Sequence, residues 1–128
     1  MEKAKIFVVD DDMMNLKIAQ LMLNKDYEVF CLSSGEKLLE LLQEKLPDLI
    51  LLDVHMPEMN GFDIIRMLKG DERVKDIPVI FLTADNDKEM ELKCFKEGAL
   101  DYIVKPFVKD VMLQRVGRVI VLNNRSEQ

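Results

Sequence analysis

Residues 49–53 read Leu-Ile-Leu-Leu-Asp, four aliphatic side chains followed by one carboxylate. A short aliphatic run of this kind is typical of a strand buried on both faces of a parallel sheet. Two further runs have the same form: residues 6–9 precede three aspartates, Asp10 to Asp12, and residues 102–104 precede Lys105. Because an open α/β sheet keeps its ligand site at the carboxyl ends of its strands, these charges are predicted to converge in one crevice.

Several carboxylates in one crevice repel one another unless a cation lies among them. The pattern therefore predicts a divalent metal, a reactive aspartate and a lysine, which is a set of groups suited to handling a phosphoryl group. The net charge of −6 argues against nucleic acid as a direct partner.

The chain of 128 residues suits a single domain. We predict a domain over residues 1–122, with residues 123–128 as a polar tail or the start of a linker to an output domain. No run approaches the ~20 apolar residues of a transmembrane helix, and the N-terminus does not have the pattern of a signal peptide. A cytosolic protein without membrane contact is expected. Cys31 and Cys94 are predicted to be small buried residues and not a disulfide.

Strand and helix patterns alternate five times along the chain, which predicts an α/β fold with a five-stranded parallel sheet. The predicted strands are Lys5–Val9, Glu28–Cys31, Leu49–Leu52, Val79–Leu82 and Tyr102–Val104, and the predicted helices are Met13–Asn24, Gly35–Glu44, Gly61–Lys69, Asp87–Lys96 and Val108–Asn123. The pattern alone does not give the order of the strands. A flavodoxin-like order of 2-1-3-4-5 would make strands one and three neighbours, with Asp10, Asp11 and Asp53 side by side.

Polar residues mark where several helices begin. Asp12 is predicted to cap the first helix and Asn60 the third. Ser33 with Glu36, and Asn86 with Glu89, have the spacing of capping boxes for the second and fourth helices.

From Ile6 to about Leu122 the chain resembles the receiver domain of two-component response regulators. The resemblance rests on five separated motifs in order: Val9-Asp10-Asp11, the segment Leu-Asp-Val-His-Met-Pro-Glu-Met-Asn-Gly that contains Asp53, Thr83-Ala84, Tyr102, and Lys105-Pro106. It implies the (βα)5 receiver fold with strand order 2-1-3-4-5. It also implies a phosphorylation-controlled switch that catalyses its own phosphorylation and dephosphorylation, and is not a conventional enzyme.

The resemblance implies roles for the residues at the strand ends. Asp53 would accept a phosphoryl group from a phosphohistidine. Asp10, Asp11, Asp53 and the backbone carbonyl of His55 would hold Mg²⁺, or Mn²⁺ in its place; Lys105, in a cis peptide bond with Pro106, would supply a positive charge to the phosphoryl oxygens.

The remaining matched residues would couple the site to a distant face. Thr83 would provide a switch hydroxyl, with the small Ala84 leaving room beside it. Tyr102 would turn inward when Thr83 moves toward the phosphoryl group. His55 and Asp85, two positions after Asp53 and Thr83, are predicted to tune the lifetime of the aspartyl phosphate through water access.

Two helices carry more apolar residues than one core-facing stripe requires. On the first helix, Met13 and Leu16 are predicted to be exposed and to contact a sensor histidine kinase or phosphotransfer protein. On the last helix, the surplus predicts a face of helix four, strand five and helix five that meets an output domain or a second copy, with Asp101 in its polar rim.

Two other classes of protein remain possible on the residues. A haloacid-dehalogenase-like phosphatase also uses an aspartate and Mg²⁺, and Asp10-Asp11-Asp12 contains its Asp-x-Asp pattern, although Met14 stands where that family prefers Thr or Val. A flavodoxin-like cofactor binder would need a Ser, Thr and Gly-rich loop after the first strand, where this chain has three aspartates.

Overall fold

The structure, a computed structural model, describes residues 2–126 as five strands that alternate with five helices. Their bounds are β1 Lys5–Val9, α1 Met13–Leu23, β2 Glu28–Leu32, α2 Gly35–Leu42, β3 Leu49–Asp53, α3 Gly61–Lys69, β4 Val79–Thr83, α4 Lys88–Lys96, β5 Asp101–Val104 and α5 Lys109–Ser126. All ten elements were predicted, and most bounds agree to within one residue. Alternating strands and helices therefore gave the right fold class.

The five strands form one parallel sheet in the order β2-β1-β3-β4-β5. Val9 at the end of β1 pairs with Leu52, next to Asp53 at the end of β3. Further along the sheet, Asp53 pairs with Leu82. The order 2-1-3-4-5 is thus confirmed, and it places the polar ends of β1 and β3 side by side.

The core lies in two layers, one on each face of the sheet. Alternate side chains of β1, β3 and β4 pack against α2, α3 and α4 on one face, where the rings of Phe62 and Phe81 meet edge to face at 5.0 Å. The intervening side chains pack against α1 and α5 on the other face. Since strands with both faces covered need apolar residues at every position, the continuous aliphatic runs follow from this arrangement.

The helix caps agree with the sequence at two positions and differ at two others. Asp12 accepts a hydrogen bond from Met14 N at 2.9 Å, and Asn60 forms a reciprocal capping box with Asp63. The second helix is capped by Ser34, which accepts from Lys37 N, and not by the predicted Ser33. The fourth is capped by Asp87 and not by Asn86. In both cases the next residue along the chain has the extended backbone that a cap requires.

The two cysteines differ in environment. Cys94 is buried as predicted, but Cys31 is exposed, so the prediction for Cys31 was wrong. Its strand, β2, lies at the edge of the sheet and is covered less completely than the central strands. Both thiols are free.

Helix α5 is longer than predicted. It continues past Asn123 to Ser126 and so crosses the predicted domain boundary at residue 122. Glu127 and Gln128 of the predicted tail lie outside the described residues. Among residues 2–126, no helix combines the length and the apolar character needed to cross a membrane.

Candidate functional site

Three strand ends bring two carboxylates and one ammonium group into direct contact. Asp10 follows β1, Asp53 ends β3, and Lys105 follows β5. The Lys105 Nζ atom lies 3.0 Å from Asp53 Oδ1 and 3.0 Å from Asp10 Oδ2. Asp10 and Asp53 are almost fully buried, so these charges interact with little screening by water.

A third carboxylate completes an acidic cluster. Asp10, Asp11 and Asp53 each offer an oxygen, and these oxygens lie within 4.8 Å of one another. Asp10 Oδ1 accepts a hydrogen bond from Asp12 N at 2.9 Å. Asp10 Oδ2 is buried and, apart from the ion pair with Lys105, receives no hydrogen bond from residues 2–126. A buried carboxylate oxygen whose described partner is the shared Lys105 ammonium, beside two further carboxylates, suits a hard cation with oxygen ligands.

The ionisation of Asp53 reflects its burial. The pKa of Asp53 is raised from 3.8 to about 6, chiefly by desolvation and also by the charge of Asp10. The hydrogen bond and charge of Lys105 oppose this rise. Burial alone would lower the pKa of Lys105, but its hydrogen bonds to Asp53 and Asp10 outweigh burial, so the pKa lies above its ordinary value. The lysine therefore remains charged at neutral pH and holds both carboxylates.

The loop after β3 passes very close to the end of that strand. Gly61 N donates to Val54 O at 2.8 Å. A Cβ atom at Gly61 would lie 2.5 Å from the carbonyl oxygen of Asp53, closer than real contacts allow. Glycine at this position therefore lets α3 begin directly against Asp53.

Thr83 lies at the end of β4, beside Asp53 in the sheet order. It is buried, and its Oγ1 accepts a hydrogen bond from Asp85 N at 3.0 Å. No acceptor for the hydroxyl proton of Thr83 is found among residues 2–126. Ala84, the next residue, is exposed and small.

Two loops are joined across the mouth of the site. His55 Nε2 lies 3.0 Å from Asp85 Oδ2, and both side chains are exposed. His55 follows Asp53 by two residues and Asp85 follows Thr83 by two, so the pair links the segment after Asp53 to the segment after Thr83. On the far side of the site, the peptide bond between Lys105 and Pro106 is cis.

Tyr102 lies apart from this cluster. Its ring is half-buried and packs against Phe95 of α4, with ring centroids 6.1 Å apart, and against the Arg115 guanidinium of α5. The structure therefore brings together Asp10, Asp11, Asp53 and Lys105, with Thr83 at the neighbouring strand end, and leaves Tyr102 on the outer face.

Met13 and Leu16 of α1 have different environments. Met13 is 69% exposed, as predicted, but Leu16 is only 4% exposed, so its predicted exposure was wrong. Leu16 shares one stripe with Ala19 and Leu23, which faces the sheet because three and seven residues span one and two helical turns. Both residues nevertheless border a cavity of about 510 Å³ that also contacts Lys17, Cys31 and Lys37.

A charged network at the start of β5 was missed by sequence reasoning. Asp101, predicted to lie in an exposed rim, is buried and accepts from Arg118 at 2.6 Å, with Arg115 at 3.5 Å. A buried carboxylate needs such partners. The one available signal was the spacing of Arg115 and Arg118, which places both on one side of a helix.

The chain was compared with known proteins. A family model described as response regulator receiver domain matches residues 6–117. The response regulator PleD of Caulobacter vibrioides is 40% identical over 111 residues, which cover 86% of this chain and 24% of that protein. A probable cyclic di-GMP phosphodiesterase of Vibrio cholerae is 36% identical over 127 residues, which cover 99% of this chain and 29% of that protein. The chain thus spans about a quarter of the length of these curated relatives.

Solved structures with the same fold cover nearly the whole chain. A putative response regulator from Chloroflexus aurantiacus is 30% identical with a TM-score of 0.88, and the match covers 94% of this chain and 99% of that one. The Vibrio cholerae chemotaxis protein CheY4 is 30% identical with a TM-score of 0.85, over 91% of this chain and 98% of that one.

Proposed function

This chain belongs to the response regulator receiver domain family, and on that premise we propose that it is a phosphoacceptor switch with Asp53 as the acceptor. One observation carries the assignment of Asp53: a buried carboxylate at a strand end, in contact with the Lys105 ammonium and beside two more carboxylates. A carboxylate in that setting is a nucleophile with a positive charge next to the position where negative charge will develop.

The proposed reaction is transfer from a phosphohistidine. The bond from an Asp53 carboxylate oxygen to phosphorus forms while the bond from phosphorus to the imidazole nitrogen breaks, and the imidazole takes up a proton. The Lys105 ammonium stabilises charge on the phosphoryl oxygens, because its Nζ atom is already 3.0 Å from the carboxylate that attacks. Transfer of the phosphoryl group from Asp53 to water returns the chain to its starting state, so no external product pool is turned over.

Asp10, Asp11 and Asp53 fit a divalent metal, and we propose Mg²⁺, with Mn²⁺ able to replace it. The burial of Asp10 Oδ2, which shares the Lys105 ammonium with Asp53, and the three convergent carboxylates support this proposal. His55 follows closely enough for its backbone carbonyl to be a further ligand. When bound, the metal neutralises the carboxylates and the phosphoryl oxygens.

Thr83 is the proposed sensor of the phosphoryl group. Its hydroxyl oxygen accepts from Asp85 N, which leaves its proton available to a phosphoryl oxygen. Ala84 adds no bulk beside it. Movement of Thr83 toward Asp53 frees space into which the Tyr102 ring turns. Phosphorylation favours this inward conformation because the contact between Thr83 and the phosphoryl group is stronger in it.

The bridge between His55 and Asp85 is proposed to set how long the phosphoryl group lasts. Their 3.0 Å contact spans the mouth of the site between the loops after β3 and β4. Water must approach Asp53 past these side chains, so their size and pairing are expected to alter the rate of hydrolysis.

The proposed partners contact two different surfaces. The exposed start of α1, with Met13, is proposed to meet a sensor histidine kinase or phosphotransfer protein next to the site. The face of α4, β5 and α5 is proposed to meet an output domain or a second copy. The domain boundary at residue 122 stays a prediction, and so does a cytosolic location, which the two free thiols support.

The test is the intact mass of the protein after incubation with acetyl phosphate and Mg²⁺. We expect the wild type to gain one phosphoryl group, and Asp53→Asn or a chelator to abolish the gain. Asp76→Asn, which changes an exposed aspartate before the start of β4 and so at the edge of the sheet opposite the site, serves as the matched control and should be phosphorylated normally. No gain in the wild type, or an equal gain in Asp53→Asn, would contradict Asp53 as the acceptor.

A further inference from the structure

Side chains from two helices surround the Tyr102 ring. Phe95 from α4 packs edge to face at 6.1 Å between centroids, and the Arg115 guanidinium from α5 lies 5.4 Å from the ring centroid. Burial and the nearby negative charge of Glu91 on α4 raise the pKa of the Tyr102 phenol. The ring is therefore held outward by contacts from both flanking helices.

Arg115 differs from Phe95 and Glu91 because it is itself fixed in place. Its Nη1 atom donates to the backbone carbonyl of Tyr102 and lies 3.5 Å from Oδ1 of the buried Asp101. Asp101 Oδ1 also accepts from Tyr102 N at 2.8 Å. The guanidinium thus contacts the residue before the tyrosine, the tyrosine main chain and the tyrosine ring at once.

We propose that Arg115 is a positioning residue that holds the Tyr102 ring in its outward orientation and so sets how readily the site switches. This inference rests on the proposed function, in which the ring turns inward on phosphorylation. An inward turn leaves Arg115 paired with Asp101 and with the Tyr102 carbonyl but removes the ring from the guanidinium. The cation–π interaction between Arg115 and the Tyr102 ring therefore stabilises only the outward orientation, which is the one proposed for the unphosphorylated protein.

Arg118 provides a matched control on the same helix. It donates to the same carboxylate, Asp101 Oδ2, at 2.6 Å, and its side chain is more exposed than that of Arg115. None of the contacts described for Arg118 involves Tyr102. Replacing either arginine by methionine removes one positive charge and one Asp101 partner, but only the change at Arg115 removes the ring contact.

The experiment measures binding of beryllofluoride, a phosphoryl mimic, in the presence of Mg²⁺. The chain has two tyrosines and no tryptophan, so a Tyr27→Phe background leaves Tyr102 as the only strong intrinsic fluorophore. In that background, beryllofluoride affinity and Tyr102 fluorescence are compared for wild type, Arg115→Met, Arg115→Lys and Arg118→Met. Urea unfolding of each variant reports its stability separately.

We expect Arg115→Met to bind beryllofluoride about fivefold more tightly, because the outward state loses a contact worth roughly that factor. Arg115→Lys, which keeps a cation near the ring, should lie between it and the wild type, and Arg118→Met should stay within about twofold of the wild type. In a Tyr102→Ala background, Arg115→Met should have no further effect on affinity.

Equal affinities for Arg115→Met and the wild type would overturn the proposal, as would an equal shift in Arg118→Met, which would assign the effect to Asp101 pairing. A stability loss without a change in affinity would also overturn it, because a structural role alone predicts that result. Failure of the wild type to bind beryllofluoride would instead contradict the proposed function itself and remove the basis of this inference.

Discussion

Asp53 combines two properties that oppose each other in the metal-free protein. Reactivity requires its carboxylate to be ionised, whereas burial and the nearby charge of Asp10 favour its protonated form. Lys105 offsets only part of this cost because one ammonium serves both carboxylates at 3.0 Å. The arrangement therefore suits a second cation, in agreement with the proposed metal site.

A pH dependence of stability follows at Asp53. The pKa of Asp53 is raised from 3.8 to about 6 in the folded protein, so the folded protein binds a proton at Asp53 more tightly than the unfolded chain does. This contribution is fully present below about pH 4 and is lost as the pH rises through about 6. In chelator, we expect Asp53→Asn to be more stable than the wild type by about 1–3 kcal/mol at pH 7.5 and to show little gain at pH 4.

Urea unfolding at the two pH values measures this difference. Asp76→Asn, on the exposed surface, is the control and should track the wild type at both. If the Asp53→Asn advantage were the same at pH 4 and pH 7.5, ionisation of Asp53 would not be its cause.

At the scale of single elements, α1 shows how the helical repeat places some apolar residues against the sheet and leaves others exposed. The helix begins at Met13 after the Asp12 cap, and Leu16, Ala19 and Leu23 face the sheet. Met13, Met14 and Leu21 remain exposed on the same helix. An exposed apolar group next to the acidic cluster fits a helix that both completes the core and meets a partner.

Truncation of Leu16 should therefore lower stability much more than truncation of Met13. Leu16→Ala leaves a cavity against the sheet and is expected to cost about 2–4 kcal/mol of unfolding free energy. Met13→Ala removes a side chain that is 69% exposed and should stay within about 0.5 kcal/mol of the wild type. Chemical denaturation measures both, and a Leu16→Ala protein as stable as Met13→Ala would refute the burial of Leu16.

The sequence predicted those features that depend on chemistry at strand ends. Asp10, Asp53 and Lys105 meet as expected, because short aliphatic runs located the strands and parallel pairing aligned their ends. Sequence reasoning failed where the outcome depends on which way a helical side chain faces, or on how completely a strand is covered by helices. Leu16 is apolar whichever way it faces, and the exposure of Cys31 depends on β2 being an edge strand, which only the sheet order reveals.

Asp101 and Arg115 show a second limit of the sequence. Both residue types are usually solvated, so their sequence gave no reason to bury the aspartate. The burial arises because β5 runs beside α5, whose two arginines fold over the strand's first residue. Side-chain networks between distant elements are set by packing, and pattern analysis within one element does not detect them.

For the molecule as a whole, a divalent cation is expected to bind the folded state alone, because its ligands come from two strands. Mg²⁺ at about 100 times its dissociation constant should add about 2.7 kcal/mol to the unfolding free energy of the wild type at pH 7.5. Asp11→Asn should lose most of this gain. Asp12→Asn, which changes the adjacent carboxylate but keeps a good helix cap, should retain it.

Thermal unfolding with and without Mg²⁺ measures these gains. An equal loss in both variants would indicate that the ion is attracted by the total negative charge of the loop after β1 and not by specific carboxylate ligands. The observed acidic cluster, which includes Asp11 and not Asp12, predicts that the two variants differ.

The site joins the two ends of the chain, since Asp10 follows the first strand and Lys105 the last. Contacts between residues so far apart in sequence form only when nearly the entire sheet has assembled. During synthesis, the segment with Asp53 emerges well before Lys105, and until the last strand docks it lacks the ammonium that prepares it for attack. Under the proposed function, a nascent or partly folded chain is therefore expected not to accept the phosphoryl group, so that only completely folded copies take part in signalling.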